Sequence, residues 1–153
     1  MLRSVRGLVV LSLCLSAGYA SAQETSELGL SDAQSAALTR DASEIYEMAD
    51  AEGLGYETLV GLLSSDETGS MDVTLRKGRS YAILGVCDDS CSDIDISVSD
   101  PGGGIVEEDL PNDDAPAVNE FPEADGVYTI QVFMAACESN PCALAVVIAQ
   151  PRE

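Results

Sequence analysis

The sequence predicts a mainly β domain, an antiparallel β-sandwich preceded by one N-terminal α-helix. Three observations carry that reading. From Met71 onward, apolar residues recur with a period of two, in short runs separated by turn signals. One stretch upstream, residues 32–51, instead shows helical spacing behind a capping box. No strand–helix–strand alternation follows, so the pattern is a sandwich and not a βαβ fold.

The first segment reads as an address. Arg3 and Arg6 form a basic n-region, Gly7 to Gly18 is an apolar run, and Ala20-Ser21-Ala22 is an A-x-A cleavage signal before Gln23. The apolar run is short of the roughly 20 residues that span a bilayer. Leu13 precedes Cys14 where a lipoprotein needs a small residue, which speaks against lipidation. The expected organisation is a signal peptide at 1–22, a helical segment and linker at 23–66, and a disulfide-stapled sandwich at 67–150. Cleavage after Ala22 takes Arg3 and Arg6 of the seven basic residues and none of the 27 acidic ones, leaving a net charge of −22. Such acidity argues against nucleic acid and anionic membrane as partners, since both call for a basic face. No later run is long enough to insert in a membrane. Acidity itself reads first as solubility in a salty or calcium-containing medium, and second as cation binding.

The elements follow in order. Ser31-Asp32-Ala33-Gln34 is a capping box. Leu38, Ala42, Ile45 and Ala49 form one stripe, and Gly53 is a stop signal, which predicts a helix from Asp32 to about Ala51. Asp41, Glu44, Glu47 and Asp50 make its solvated face. An Ala-rich stripe suits either weak packing on the domain or a spacer. Tyr56 to Leu63 is apolar enough for a short strand or docking segment, and Ser64 to Ser70 reads as a loop. Met71, Val73 and Leu75 alternate with polar residues, and Lys77-Gly78 turns the chain. Tyr81 to Val86 is nearly all apolar, the mark of a central strand. Ile94, Ile96 and Val98 alternate with Asp and Ser, and Asp100-Pro101-Gly102-Gly103-Gly104 is a strong turn. Ile105-Val106 starts a short strand, and 110–116 is an acidic loop. Ala117 to Phe121 is an edge strand between Pro116 and Pro122. Val127 to Ala136 is the longest strand, and Leu144, Val146 and Ile148 mark the last.

Four cysteines remain after the signal, an even number that fits an oxidising compartment. The intervals Cys87-x3-Cys91 and Cys137-x4-Cys142 are each short enough to close a turn, and local pairing is favoured. Crossed pairing between the two turns is the alternative that sequence leaves open. A loop of this size stabilises by only about 2 kcal/mol in the chain-entropy model. The spacing is not C-x-x-C and no thioredoxin-like unit surrounds it, so a redox pair is disfavoured; export and spacing likewise disfavour a zinc site built from all four thiolates.

Asp93-x-Asp95, Asp100-Pro101-Gly102-Gly103 and Gly126-x-Tyr128-x-Ile130-x-Val132 together resemble the pre-peptidase C-terminal type of β-sandwich domain, over about residues 70–149. The two cysteine turns, "GVCDDSC" and "MAACESNPC", lie outside that general pattern and resemble a set of bacterial exported proteins with a cysteine-stapled sandwich. The resemblance implies a jelly-roll-like domain. In secreted peptidases such domains are accessory modules for export, folding or surface binding, and some bind calcium. No peptidase portion accompanies this one, so the resemblance implies a standalone role.

Chemistry is sparse. The chain has no His, which removes Ser-His-Asp and Cys-His nucleophiles and histidine metal ligation. Lys77 is the one lysine and sits in a turn. Pro101 to Gly104 has no following helix and is not a phosphate loop. Carboxylate pairs for glycoside hydrolysis carry no signal where acids are this abundant, and there is no Trp to stack a sugar. The site hypothesis is calcium, which takes six to eight hard oxygens. Asp93 and Asp95 share one side of a strand about 7 Å apart. Asp88 and Asp89 precede them in the turn, and Asp109, Asp113 and Asp114 lie in a later loop able to fold back beside it. The competing reading is that these carboxylates accept backbone N–H bonds and fix the turn. The function expected is an exported, non-catalytic binding or accessory protein of the periplasm or cell exterior, with a protein or polysaccharide partner. The rivals are a small carboxylate-based hydrolase and a structural envelope component.

Overall fold

Ser31 starts the helix. Its hydroxyl accepts from the Gln34 N–H at 3.2 Å, and the Gln34 side-chain oxygen accepts from the Ser31 N–H at 3.0 Å. Both first-turn donors are thus satisfied reciprocally. Helix α1 spans Asp32–Ala51, and Gly53, at φ 71°, leaves it through a left-handed turn. The structure, a computed structural model, describes residues 28–152. The signal peptide 1–22 and its cleavage point lie outside the described residues.

Eight strands follow: β1 (Leu54–Leu63), β2 (Glu67–Leu75), β3 (Tyr81–Cys87), β4 (Cys91–Ser99), β5 (Ile105–Asp109), β6 (Ala117–Glu120), β7 (Gly126–Cys137) and β8 (Cys142–Pro151). They form two four-stranded sheets, β1-β8-β3-β6 and β2-β7-β4-β5, with every pairing antiparallel. The molecule is a β-sandwich with its one helix N-terminal to the strands. Ile94, Ile96 and Val98 face inward from β4, and Tyr128, Ile130, Val132 and Met134 from β7. They meet Tyr81, Ile83, Leu144, Val146 and Ile148 of the opposite sheet in one core. Each fully buried aliphatic there contributes about 1.5–3 kcal/mol relative to exposure. The strand 81–87 lies between β8 and β6, in the central place its apolar run predicts. β6 is an edge strand, closed by the two prolines as expected.

Two readings of the linking region are sharpened. Residues 54–63 form a full edge strand paired with β8 from Leu54↔Pro151 to Leu63↔Cys142. The predicted loop at 64–70 shrinks to a turn around Asp66 (φ 65°), and β2 begins at Glu67, opposite Met134 of β7. Its first residues are polar because their outer face meets solvent, which hides the period of two.

The helix is no spacer. Leu38, Ala42 and Ile45 pack on Val86, Ala143, Ala145 and Val147, the outward side chains of β3 and β8. Alanines on both surfaces let the helix come close. β8 is therefore buried on both faces from Cys142 to Ala149. Tyr46 of α1 stacks on Tyr56 of β1 with centroids 4.4 Å apart, and its hydroxyl lies 2.7 Å from Thr58 Oγ1. The outer face of the second sheet has no such cover: Asp72, Thr74, Val127 and Gln131 are exposed there.

Candidate functional site

The two cysteine turns close one end of the sandwich. Cys87 and Cys91 are joined at 2.00 Å, and Cys137 and Cys142 at 2.08 Å. Cys91 and Cys137 are cross-strand neighbours of β4 and β7, and Glu138 N–H donates to Ser90 O at 2.8 Å, so the two turns brace each other.

Asp88, between the first pair of cysteines, is 4% exposed. Its Oδ1 accepts from Ser90 N–H at 2.9 Å. Its Oδ2 accepts from Ala143 N–H at 2.7 Å and from Gln34 Nε2 at 3.0 Å. Both oxygens of this carboxylate are engaged, by three donors drawn from its own turn, β8 and α1. Asp89 points the other way, into solvent, where it accepts from Arg40 Nη2 at 2.8 Å. Arg40 also pairs with Asp41, and these two carboxylates, Asp41 first, hold its guanidinium above its ordinary range.

The remaining acids sit beside β4. Asp113 Oδ1 accepts from Ala115 N–H at 3.0 Å, and its carbonyl accepts from Ile94 N–H at 2.9 Å, which docks the 110–116 loop on the strand. Asp109 accepts from Ala117 N–H at 2.7 Å. Asp93 Oδ1 is buried with no hydrogen-bond partner. Burial pushes the Asp95 carboxyl above its ordinary value, and the negative charges of Asp93, Asp109 and Asp113 push it further. Asp114 lies in the same loop, at the rim of the groove described below. Of the acids read as one calcium set, Asp88 and Asp89 are engaged elsewhere. Among the described residues no group of three or more Asp, Glu, His or Cys side chains is placed to hold a metal ion.

A second acid with a raised pKa, Glu120, lies on the other sheet. It is a buried residue of β6; loss of solvent raises it most, followed by Glu107, Glu123 and Asp100. Asp100 itself caps the 100–104 turn, its Oδ1 accepting from Gly102 and Gly104 N–H, both at 2.9 Å, with Gly103 at φ 85°.

A groove among the described residues was not legible in the sequence. It has a volume of about 480 Å³ and runs between α1 and β3. Asp41, Glu44, Ile45 and Met48 form its helical wall, Leu84 and Val86 its floor, and Asp114 and Ala115 its far rim. A smaller apolar extension of about 140 Å³ continues past Met48 to Ala82, Glu52 and Ala149. Met48 is 56% exposed although it lies on the same side of the helix as buried Ile45. Only the position of Met48 at i+3 from Ile45 hinted at an apolar wall wider than the sheet-facing stripe.

No family model matches the chain, so its resemblance to the pre-peptidase C-terminal domains rests on the quoted motifs alone. No curated protein matches it. Among solved structures it is similar to the crystal structure of Aeromonas hydrophila PliG, a periplasmic lysozyme inhibitor of g-type lysozyme. The two share 20% identity with a TM-score of 0.45, over 63% of this chain and 89% of that one. A likeness at that level carries no argument about what this chain binds.

Proposed function

We propose that the chain is an exported, non-catalytic binding protein that works through its surface. The observation that carries the reading is the pairing of a filled core with an open, acid-rimmed groove. Ile83, Ile96, Val98, Ile130, Met134 and Val146 leave no accessible surface inside the sandwich. Among the described residues the two carboxyls with raised pKa, Asp95 and Glu120, stand on different sheets, which does not suit the carboxylate pair of glycoside hydrolysis. Two disulfides support an oxidising, extracytoplasmic setting. A protein partner suits a shallow groove with an apolar floor better than a polysaccharide, which is held by aromatic faces; this chain has no Trp and no stacked aromatic in the groove.

The test is twofold. Mature chain immobilised and exposed to the periplasmic and secreted proteins of its source is expected to retain a discrete partner at about 0.15 M salt, where long-range charge attraction is screened. The same chain is expected to turn over no glycoside, ester or peptide substrate. Hydrolysis that is abolished in Asp95→Asn or Glu120→Gln overturns the reading, as does retention of nothing.

A further inference from the structure

We propose that the groove beside α1 receives an amphipathic, cationic segment of a protein partner, one that carries aliphatic residues toward Leu84 and Met48 and Lys or Arg toward the acidic rim. The proposal rests on the binding-protein reading above and names the surface and the chemistry of its partner.

Space comes first. A four-stranded sheet is about 14 Å wide between its outer strands, and one helix with its side chains is about 10–12 Å across. Helix α1 settles on β8, with β1 and β3 to either side. Among the described residues nothing covers the far side of β3 and the edge strand β6, and a second helix at the usual spacing of about 8–10 Å from α1 lies over them. Ala82 and Leu84 of β3 are only partly buried there, and their register partners on β6, Asn119 and Ala117, are exposed. From Arg40 to Glu52 the helical wall is about 18 Å long at 1.5 Å per residue, the length of a helical segment of about a dozen residues.

Chemistry follows. The floor is aliphatic, and Met48 stands over it unpacked; a flexible thioether at a groove edge adapts to different apolar side chains. Asp41, Glu44, Glu52 and Asp114 line the margins. Arg40 is the single basic residue of the lining, and its charge is already met by Asp41 and Asp89. The margin is net negative in a molecule that is itself strongly acidic. An acidic segment is repelled there, and a basic one is steered in.

The β5–β6 edge is the rival surface, because Ile105 (61%) and Phe121 (69%) are exposed on it. Neither residue lines the groove, so substitution tells the two surfaces apart.

The experiment uses a synthetic Leu/Lys peptide of helical period, with a Leu/Glu peptide and an oligolysine of equal length as controls. Binding to the mature protein is followed by amide chemical shifts and fluorescence anisotropy at about 0.15 M salt. The Leu/Lys peptide is expected to bind at micromolar levels and to shift the amides of Ile45–Ala49 and Ala82–Val86. Met48→Asn is expected to weaken it about tenfold, and the pair Glu44→Lys with Glu52→Lys by more. Val127→Asn, on the uncovered face of the second sheet, is expected to leave it unchanged. Equal binding of oligolysine, or loss on Phe121→Ser with no effect of Met48→Asn, overturns the groove assignment and leaves the binding-protein reading standing. Absence of peptide binding beside a retained natural partner does the same. Absence of both removes the two together.

Discussion

Gln34 Nε2 donates to Asp88 Oδ2 at 3.0 Å, across 54 residues of sequence. The same amide also donates to Pro141 O at 2.9 Å, while its oxygen closes the capping box on Ser31. One side chain therefore starts the helix and ties it to both cysteine turns. Asp88 is the hub on the other side, since it is the buried acceptor for Ala143 N–H of β8 as well. Removing that carboxylate strands a buried donor, which costs about 1–3 kcal/mol. Asp88→Ala is expected to destabilise the domain by about 2–3 kcal/mol and Gln34→Ala by about 1 kcal/mol. Because the two residues touch, the double variant is expected to lose less than the sum. Chemical denaturation of the four proteins measures this; strict additivity sinks the coupling.

The helix layer is a second determinant of stability. Leu38 is buried against Val86, Ala143 and neighbours by a helix that covers one sheet face alone. Leu38→Ala is expected to cost about 2–3 kcal/mol, the lower part of the range for buried leucine because the site lies at the edge of a thin layer. Hydrogen exchange locates the damage: the amides of α1 are expected to lose protection before those of β4 and β7. Uniform loss across both sheets contradicts a separable helical layer.

Much of this architecture was legible beforehand. The capping box, the alternation of Ile94, Ile96 and Val98, and the turn at Asp100 are local signals whose physics stays local. What escaped was non-local. Ala143, Ala145 and Val147 belong to a second core only because α1 lies on them, and nothing nearby in sequence announces that. Gln34 read as a cap and is also a tether, since Asp88 is brought to it by the β3–β4 turn. The acids of 88–114 looked like one set because they are close in sequence. The chain sends Asp88 inward to N–H donors and Asp89 outward to Arg40, so adjacency overstated their convergence.

Asp95 gives a pH prediction with a defined sign. Its folded pKa is raised above the ordinary 3.8 by burial and by Asp93, Asp109 and Asp113. Between the unfolded value and the raised folded value the native protein holds more protons than the unfolded chain. Stability contributed by this group is therefore present at low pH and falls as pH rises through that window. Asp95→Asn removes the penalty: the variant is expected to melt higher than the parent at pH 7, with the difference shrinking toward pH 4. Glu120→Gln is expected to behave likewise, from burial and the charges of Glu107, Glu123 and Asp100. A lower melting temperature of Asp95→Asn at pH 7 refutes the assignment.

Calcium provides the last test, and it separates two roles for the same acids. If the carboxylates serve as N–H acceptors, as Asp88, Asp100 and Asp113 do, a cation adds nothing specific to the fold. Among the described residues no three acidic side chains converge to supply the six to eight oxygens that calcium takes. We therefore expect the melting temperature to stay within about a degree between excess calcium and excess chelator, because a ligand that does not bind the native state cannot shift its stability. Magnesium at the same ionic strength controls for screening of the acidic surface. A rise that saturates with calcium alone and disappears in Asp93→Asn or Asp95→Asn would establish the metal role. It would also give Asp93 Oδ1, now buried without a partner, its missing ligand.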